Sequence, residues 1–223
     1  MIQGLLSRQG LQAPLFTCGY DYKNREAQAW LIDNLIRQRP RAIICNTQSL
    51  NAAAIEELRL YQEEGGLVVC YDFPIDLECD QVIFDREDNT YQAARHLAQW
   101  GHRRVGLAVH HFLQKDDARC KGYGRALDEA GLKPRDEWLF EGAQHLDYEA
   151  GGQEIAAQFL RLRRSSRPTA MCIVNDQAAL AFIAELMQAG VRVPDDVSVV
   201  GHDNRPFSRH AVVPRPSAGA PPP

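Results

Sequence analysis

The sequence predicts an α/β fold of parallel sheets flanked by helices. Three observations carry that prediction. Short apolar runs alternate with amphipathic stretches of helical length along the chain. Strands separated by helices need crossover connections, which give parallel pairing with helices on both faces of the sheet. Polar residues follow one apolar run after another, which is where open parallel sheets bind ligands.

Each element follows from its pattern. Residues 15–19 read as a strand, and 26–37 as a helix with Ala29, Ile32, Leu35 and Ile36 on one face. A strand at 42–45 precedes a helix at 52–63, and strands follow at 67–71 and 81–84. The helix at 88–99 is stopped by Gly101, since glycine accepts the left-handed conformation that ends helices. A strand at 105–109 leads to a helix at 118–130, closed by Gly131. After a brief strand at 138–140 comes a helix at 148–162, with Ile155, Phe159 and Leu162 inward. A strand at 170–174, a helix at 177–189 and a strand at 197–201 complete the pattern.

The chain has 223 residues, room for two lobes of about 100 each. A polar stretch near 110–115 suggests the boundary, giving lobes at 1–110 and 111–204. Residues 205–223 carry Pro206, Pro214, Pro216 and Pro221-Pro222-Pro223, and read as a truncated or disordered tail. Hydrophobic residues make up 45% and charged residues 24%, enough apolar content for a core. A net charge of −4 argues for neither a nucleic-acid surface nor a membrane surface. No apolar run is long enough to span a bilayer, and no export signal opens the chain, so a cytoplasmic location is expected. None of the six cysteines forms a Cys-x-x-Cys pair, and they read as buried, reduced thiols. His110 and His111 are adjacent and would face opposite ways on a strand, which disfavours a metal pair. No metal or cofactor is expected.

The strand ends gather Asp21, Asn46, Asp72, Asp85, Asn175, Asp176, His202, Asp203 and Asn204. Carboxylates accept from hydroxyl groups and amides both donate and accept, so such a rim suits a hydroxyl-rich ligand. Arg119 could add a fixed donor fork, and Tyr148 and Phe73 an apolar stacking face. The competing reading is that each Asp or Asn caps the next helix or makes a turn. Capping fits most of them singly. It fits Asp72 and Asp203 poorly, because no strong helical start follows either. There is no Gly-x-Ser-x-Gly, Walker, Gly-x-Gly-x-x-Gly or zinc-helix motif, so an enzyme is not expected. The basic run Arg161, Arg163, Arg164 and Arg167 reads as a solvated helix end.

A resemblance sharpens this reading. Asn175-Asp176-Gln177-Ala178-Ala179 is followed by Gly190-Val191-Arg192-Val193-Pro194-Asp195-Asp196-Val197-Ser198-Val199-Val200-Gly201-His202-Asp203. His96-Leu97-Ala98-Gln99-Trp100-Gly101-His102-Arg103-Arg104-Val105 and Arg119-Cys120-Lys121-Gly122-Tyr123 precede them. In order and spacing these segments resemble the sensor domain of LacI/GalR-family bacterial transcription regulators, over roughly residues 1–209.

The resemblance implies a periplasmic-binding-protein-like fold of two lobes with an effector in the cleft between them. It implies effector contacts from Asp72, Arg119, Tyr148, Asn175 and Asp203. It further implies a sugar or related metabolite as effector, although purines suit the same set, and a homodimer. Operator DNA would be bound only through a head domain that nothing in this chain resembles. The chain is expected to start inside the sensor's first helix, without the first strand. Past Pro214 the pattern gives way to Pro, Ala and Gly, so the fold is expected to be incomplete at both ends. A transport-type sugar-binding protein of the same fold and a non-functional truncated remnant are the alternatives.

Overall fold

The computed structural model describes residues 2–16, 25–48, 50–109, 118–142, 147–205 and 217–218. The chain divides into two units, Met1–Phe84 and Asp85–Pro223.

The first unit holds α1 (Ile2–Arg8), α2 (Arg25–Arg37), β1 (Ala42–Asn46), α3 (Ala52–Glu63), β2 (Leu67–Asp72) and β3 (Asp80–Ile83). Its sheet runs β1-β2-β3, parallel throughout. Strand alternation turns Ile43 and Cys45 of β1, and Val68 and Cys70 of β2, to one buried side. Ala54, Leu58 and Tyr61 repeat at helical spacing along α3 and join Ile32 of α2 in the same core. Asn51 caps α3 by accepting from the Ala54 N–H at 3.0 Å. The Tyr61 hydroxyl donates to the Pro40 carbonyl at 2.8 Å, tying α3 to the chain ahead of β1. On the other face Ile44, Leu67 and Val82 are 43%, 65% and 57% exposed.

The second unit holds α4 (Arg86–Gln99), β4 (Val105–Val109), α5 (Ala118–Glu129), β5 (Leu139–Glu141), α6 (Tyr148–Arg161), β6 (Ala170–Ile173), α7 (Asp176–Gln188), β7 (Ser198–His202) and β8 (Ser217–Ala218). The order is β5-β4-β6-β7-β8, again parallel. Every residue of β4 and β6 is buried, the mark of a sheet covered on both faces. Met171, Ile173 and Val199 face Phe159 of α6 and Phe182 of α7. Ala170, Cys172 and Val200 face Ala94 of α4 and Tyr123 of α5. The helix pairs cross closely because their contact points are glycines. A β-carbon at Gly122 would run into the Glu87 carbonyl, and one at Gly152 into the Ala178 carbonyl.

The expected α/β architecture is present, with three differences. The division falls at Phe84/Asp85 rather than 110/111, because β4 pairs with β5 and β6, and α4 shares a core with α5. Leu15 and Phe16 of the expected first strand are exposed and outside any strand. Ser217 and Ala218, expected in a disordered tail, pair with Gly201 and His202, giving the outer edge of β7 a backbone partner. Residues 17–19 of that strand, Cys18, Asp21, His110 and His111 lie outside the described residues, as does the stretch at 110–115. Cys45, Cys70 and Cys172 are buried and Cys79 and Cys120 partly buried, in keeping with thiols inside the fold. Among the described residues no helix is long and apolar enough to cross a membrane.

Candidate functional site

In the first unit, a polar rim sits at the carboxyl ends of β1 and β2. Asn46 ends β1, and its amide nitrogen donates to the Asp72 carboxylate at 3.3 Å. The next residue, Thr47, is buried. Its hydroxyl lies 3.0 Å from the Tyr71 carbonyl and 2.7 Å from the Phe73 carbonyl, and it accepts from the Phe73 N–H at 2.7 Å. One hydroxyl thus stitches β1 to the turn leaving β2. That turn contains Asp72, which is buried and has φ of 106°. A non-glycine residue at such an angle is strained by about 1–3 kcal/mol. The bonds from Asn46 and Thr47 on either side hold it there. Thr47 carried no signal in the sequence beyond following a strand end.

The second unit builds its rim at the ends of β6 and β7. Asn175 is buried and extended, and it caps α7 by accepting from the Ala178 N–H at 2.7 Å. Its carbonyl oxygen serves the cap, so its amide nitrogen is the part suited to a ligand. Asp176 is fully buried and accepts from the Arg205 N–H at 2.7 Å, which draws the chain after β7 back to α7. Asp203 has φ of 84° and Asn204 has φ of 47°. Asp203 is half exposed, yet partial desolvation raises its carboxyl pKa. Asp176 adds to the rise, while Arg205, His202 and Arg119 oppose it. The Arg205–Asp203 pair is loose at 3.9 Å, which in an exposed pair contributes little.

His202 lies beneath this rim. It follows a strand in sequence but was not among the expected contacts. Its Nδ1 lies 2.9 Å from the Ile173 carbonyl and must carry the proton there, leaving Nε2 as a bare acceptor. Nε2 is buried, and among the described residues it makes no hydrogen bond of good geometry, although the Asn89 carbonyl also acts on the ring. Burial lowers the His202 pKa and Arg119 adds to that. The Ile173 and Asn89 carbonyls and Asp203 oppose it.

Of the five expected contacts, Arg119 and Asp203 act on the same imidazole and so share one electrostatic neighbourhood. Asn175 is joined to it through its neighbour Asp176, whose charge acts on Asp203. Tyr148 opens α6 and packs against the core around Phe159. Asp72 belongs to the first unit. The capping alternative accounts for some of the strand-end residues and not for others. Asp85 and Asn175 cap helices. Asp72 and Asp203 cap none and share a positive φ at the end of a strand. Among the described residues no group of three or more His, Cys, Asp or Glu could hold a metal ion.

Residues 94–223 match the family described as periplasmic binding protein-like domain. The chain is 30% identical over 200 residues to the HTH-type transcriptional repressor PurR of Aliivibrio salmonicida, covering 88% of this chain and 57% of that protein. The chain therefore spans little more than half the length of that relative. A LacI family transcriptional regulator from Silicibacter pomeroyi superposes with a TM-score of 0.77 at 27% identity, covering 97% of this chain and 77% of that one. A LacI family regulator from Lactobacillus casei, solved with bound glucose, superposes with a TM-score of 0.76 at 21% identity, covering 97% and 78%.

Proposed function

Since the chain belongs to the periplasmic binding protein-like domain family, in the form found in LacI/GalR regulators, we propose that it senses a small effector for a DNA-binding transcription regulator. The observation that carries this reading is the pair Asp72 and Asp203. Each ends a strand at positive φ and caps nothing. Strain of this kind is held in place by the surrounding structure and clusters at binding and catalytic sites. We assign effector contacts to Asp72 in the first unit and to Arg119, Tyr148, Asn175 and Asp203 in the second.

The effector class is a sugar or related polyol. Two carboxylates, an amide and a guanidinium can satisfy many hydroxyls at once, and one structural neighbour binds glucose. The domain binds without turnover, works in the cytoplasm and acts as a homodimer. In the whole regulator, the effector changes operator affinity by binding one conformation better than another.

The test is a thermal-shift screen of monosaccharides, disaccharides and nucleosides, followed by calorimetry on the best binder. Saturable binding to a sugar, weakened about tenfold or more by Asp203→Ala or Arg119→Ala, is the expected result. If both variants bind with unchanged affinity, the site assignment is wrong. If only nucleosides bind, the effector class is wrong.

A further inference from the structure

Where β1 ends, the first unit departs from ordinary strand pairing. The register pairs Asn46 with Tyr71, so one step on Thr47 falls opposite Asp72. In a parallel pair, a residue so placed bonds to both neighbours of the residue it faces. Its main-chain N–H donates to one, and its main-chain carbonyl accepts from the other. Thr47 makes the first of these bonds, donating to the Tyr71 carbonyl at 2.9 Å. Its carbonyl is spent elsewhere, accepting from the Leu50 N–H at 3.3 Å as the chain turns towards α3. The Thr47 hydroxyl takes the carbonyl's place and accepts from the Phe73 N–H at 2.7 Å.

This exchange of a side chain for a main-chain group fixes the geometry of Asp72. The residues before and after it are both tied to Thr47, and its own carbonyl accepts from the Phe84 N–H at 3.3 Å on the β3 side. Asp72 arches between these fixed points at φ 106°. Its carboxylate is aimed separately. The Asn46 side-chain oxygen accepts from the Gln48 N–H at 2.8 Å, which turns the amide nitrogen towards the Asp72 carboxylate. Thr47 itself is buried, and its hydroxyl has main-chain groups at 2.7 and 3.0 Å. It acts on the backbone and not on a ligand.

We propose that Thr47 is the positioning residue of the first rim, its hydroxyl holding Asp72 in the conformation in which the carboxylate meets the effector. This role rests on the assignment of Asp72 as an effector contact. An alkyl side chain of the same shape would fill the space of Thr47 but could not accept from Phe73, leaving an N–H unpaired inside the fold. The turn would then relax out of the left-handed region, because strain at Asp72 lasts only while its surroundings impose it. Serine at the same position keeps the hydroxyl and the bond. Thr47 therefore sets affinity without touching the effector, and it does so through Asp72.

The experiment compares the full chain with Thr47→Val, Thr47→Ser, Asp72→Ala and the double variant Thr47→Val with Asp72→Ala. Without ligand, nuclear magnetic resonance reads the carbon chemical shifts of Asp72 and the amide exchange of Phe73. In Thr47→Val the shifts should leave the left-handed range and Phe73 should exchange faster, while Thr47→Ser keeps both as in the parent. Calorimetry with D-glucose and, separately, adenosine then reads affinity. Thr47→Val should weaken the probe that binds by about fivefold or more, and Thr47→Ser should recover most of that loss. Thr47→Val should add nothing once Asp72→Ala is present. Unchanged shifts at Asp72 in Thr47→Val overturn the proposal. So do equal losses of affinity with and without the Asp72 carboxylate, which would mark a general loosening of the unit. If neither probe binds the parent, the effector reading fails and takes the role of Thr47 with it. The ligand-free spectra keep that failure apart from failure of the brace itself.

Discussion

The two units use the same parallel architecture with unequal cover. In the second, β4 and β6 are buried along their whole length between α6–α7 on one side and α4–α5 on the other. In the first, α2 and α3 pack on one face, while Ile44, Leu67 and Val82 on the other remain exposed. Stability is not uniform within a protein, and it follows buried apolar contact. The difference therefore ranks the units. The second is the stable body, and the first opens at lower cost.

The largest effect expected from this ranking is in the doubly covered core. Phe182 is fully buried and meets Phe159 edge to face at 5.5 Å. Phe182→Ala should cost about 3–5 kcal/mol, whereas Val82→Ala on the uncovered face should change stability by less than about 0.5 kcal/mol. Urea unfolding followed by circular dichroism compares them, and equal losses would erase the contrast. Next in size are the close helix crossings. Gly122→Ala and Gly152→Ala place a methyl group against a backbone carbonyl that cannot swing away, for about 1–3 kcal/mol each. A loss near zero would mean the helix pairs slide apart easily.

Smaller and opposite in sign is Asp203→Gly. Removing the strain at φ 84° should stabilise the second unit by about 1 kcal/mol while effector binding is lost. The same variant with lowered stability would show that the carboxylate serves the fold.

The smallest effect concerns pH. Burial holds the pKa of His202 and His102 below the ordinary histidine value. The fold therefore favours the neutral rings and the unfolded chain takes up protons more readily. Stability from these groups is present in full above the unfolded pKa of about 6.5. It declines as pH falls through that value and levels off below the folded pKa. Thermal unfolding between pH 7.5 and 5.5 should show a smaller decline for His202→Asn than for the parent, and an unchanged decline would remove His202 from the account.

Local pattern carried the elements well, because apolar spacing and capping residues act within a few positions. The reading of 52–63 as a helix matches α3, and 105–109 matches β4. Pairing was another matter. A strand's pattern does not say which sheet it joins, so β4 was assigned to the wrong side of the division. Ser217-Ala218 has no apolar signature and pairs only because the edge of β7 is there to be matched. At the site, the absence of a helix after Asp72 and Asp203 was visible in the sequence. Their backbone angles were not, since aspartate gives no sign of the left-handed region as glycine does. The burial of the His202 ring against the Ile173 carbonyl is a property of packing and had no trace in the sequence.

The two strained aspartates also have a use as probes. Glycine at either position would relieve the backbone, and neither carboxylate caps a helix. Each aspartate therefore carries a backbone cost that glycine at residue 72 or 203 would not, so the two carboxylates are the positions where a glycine exchange separates what the fold needs from what a ligand needs.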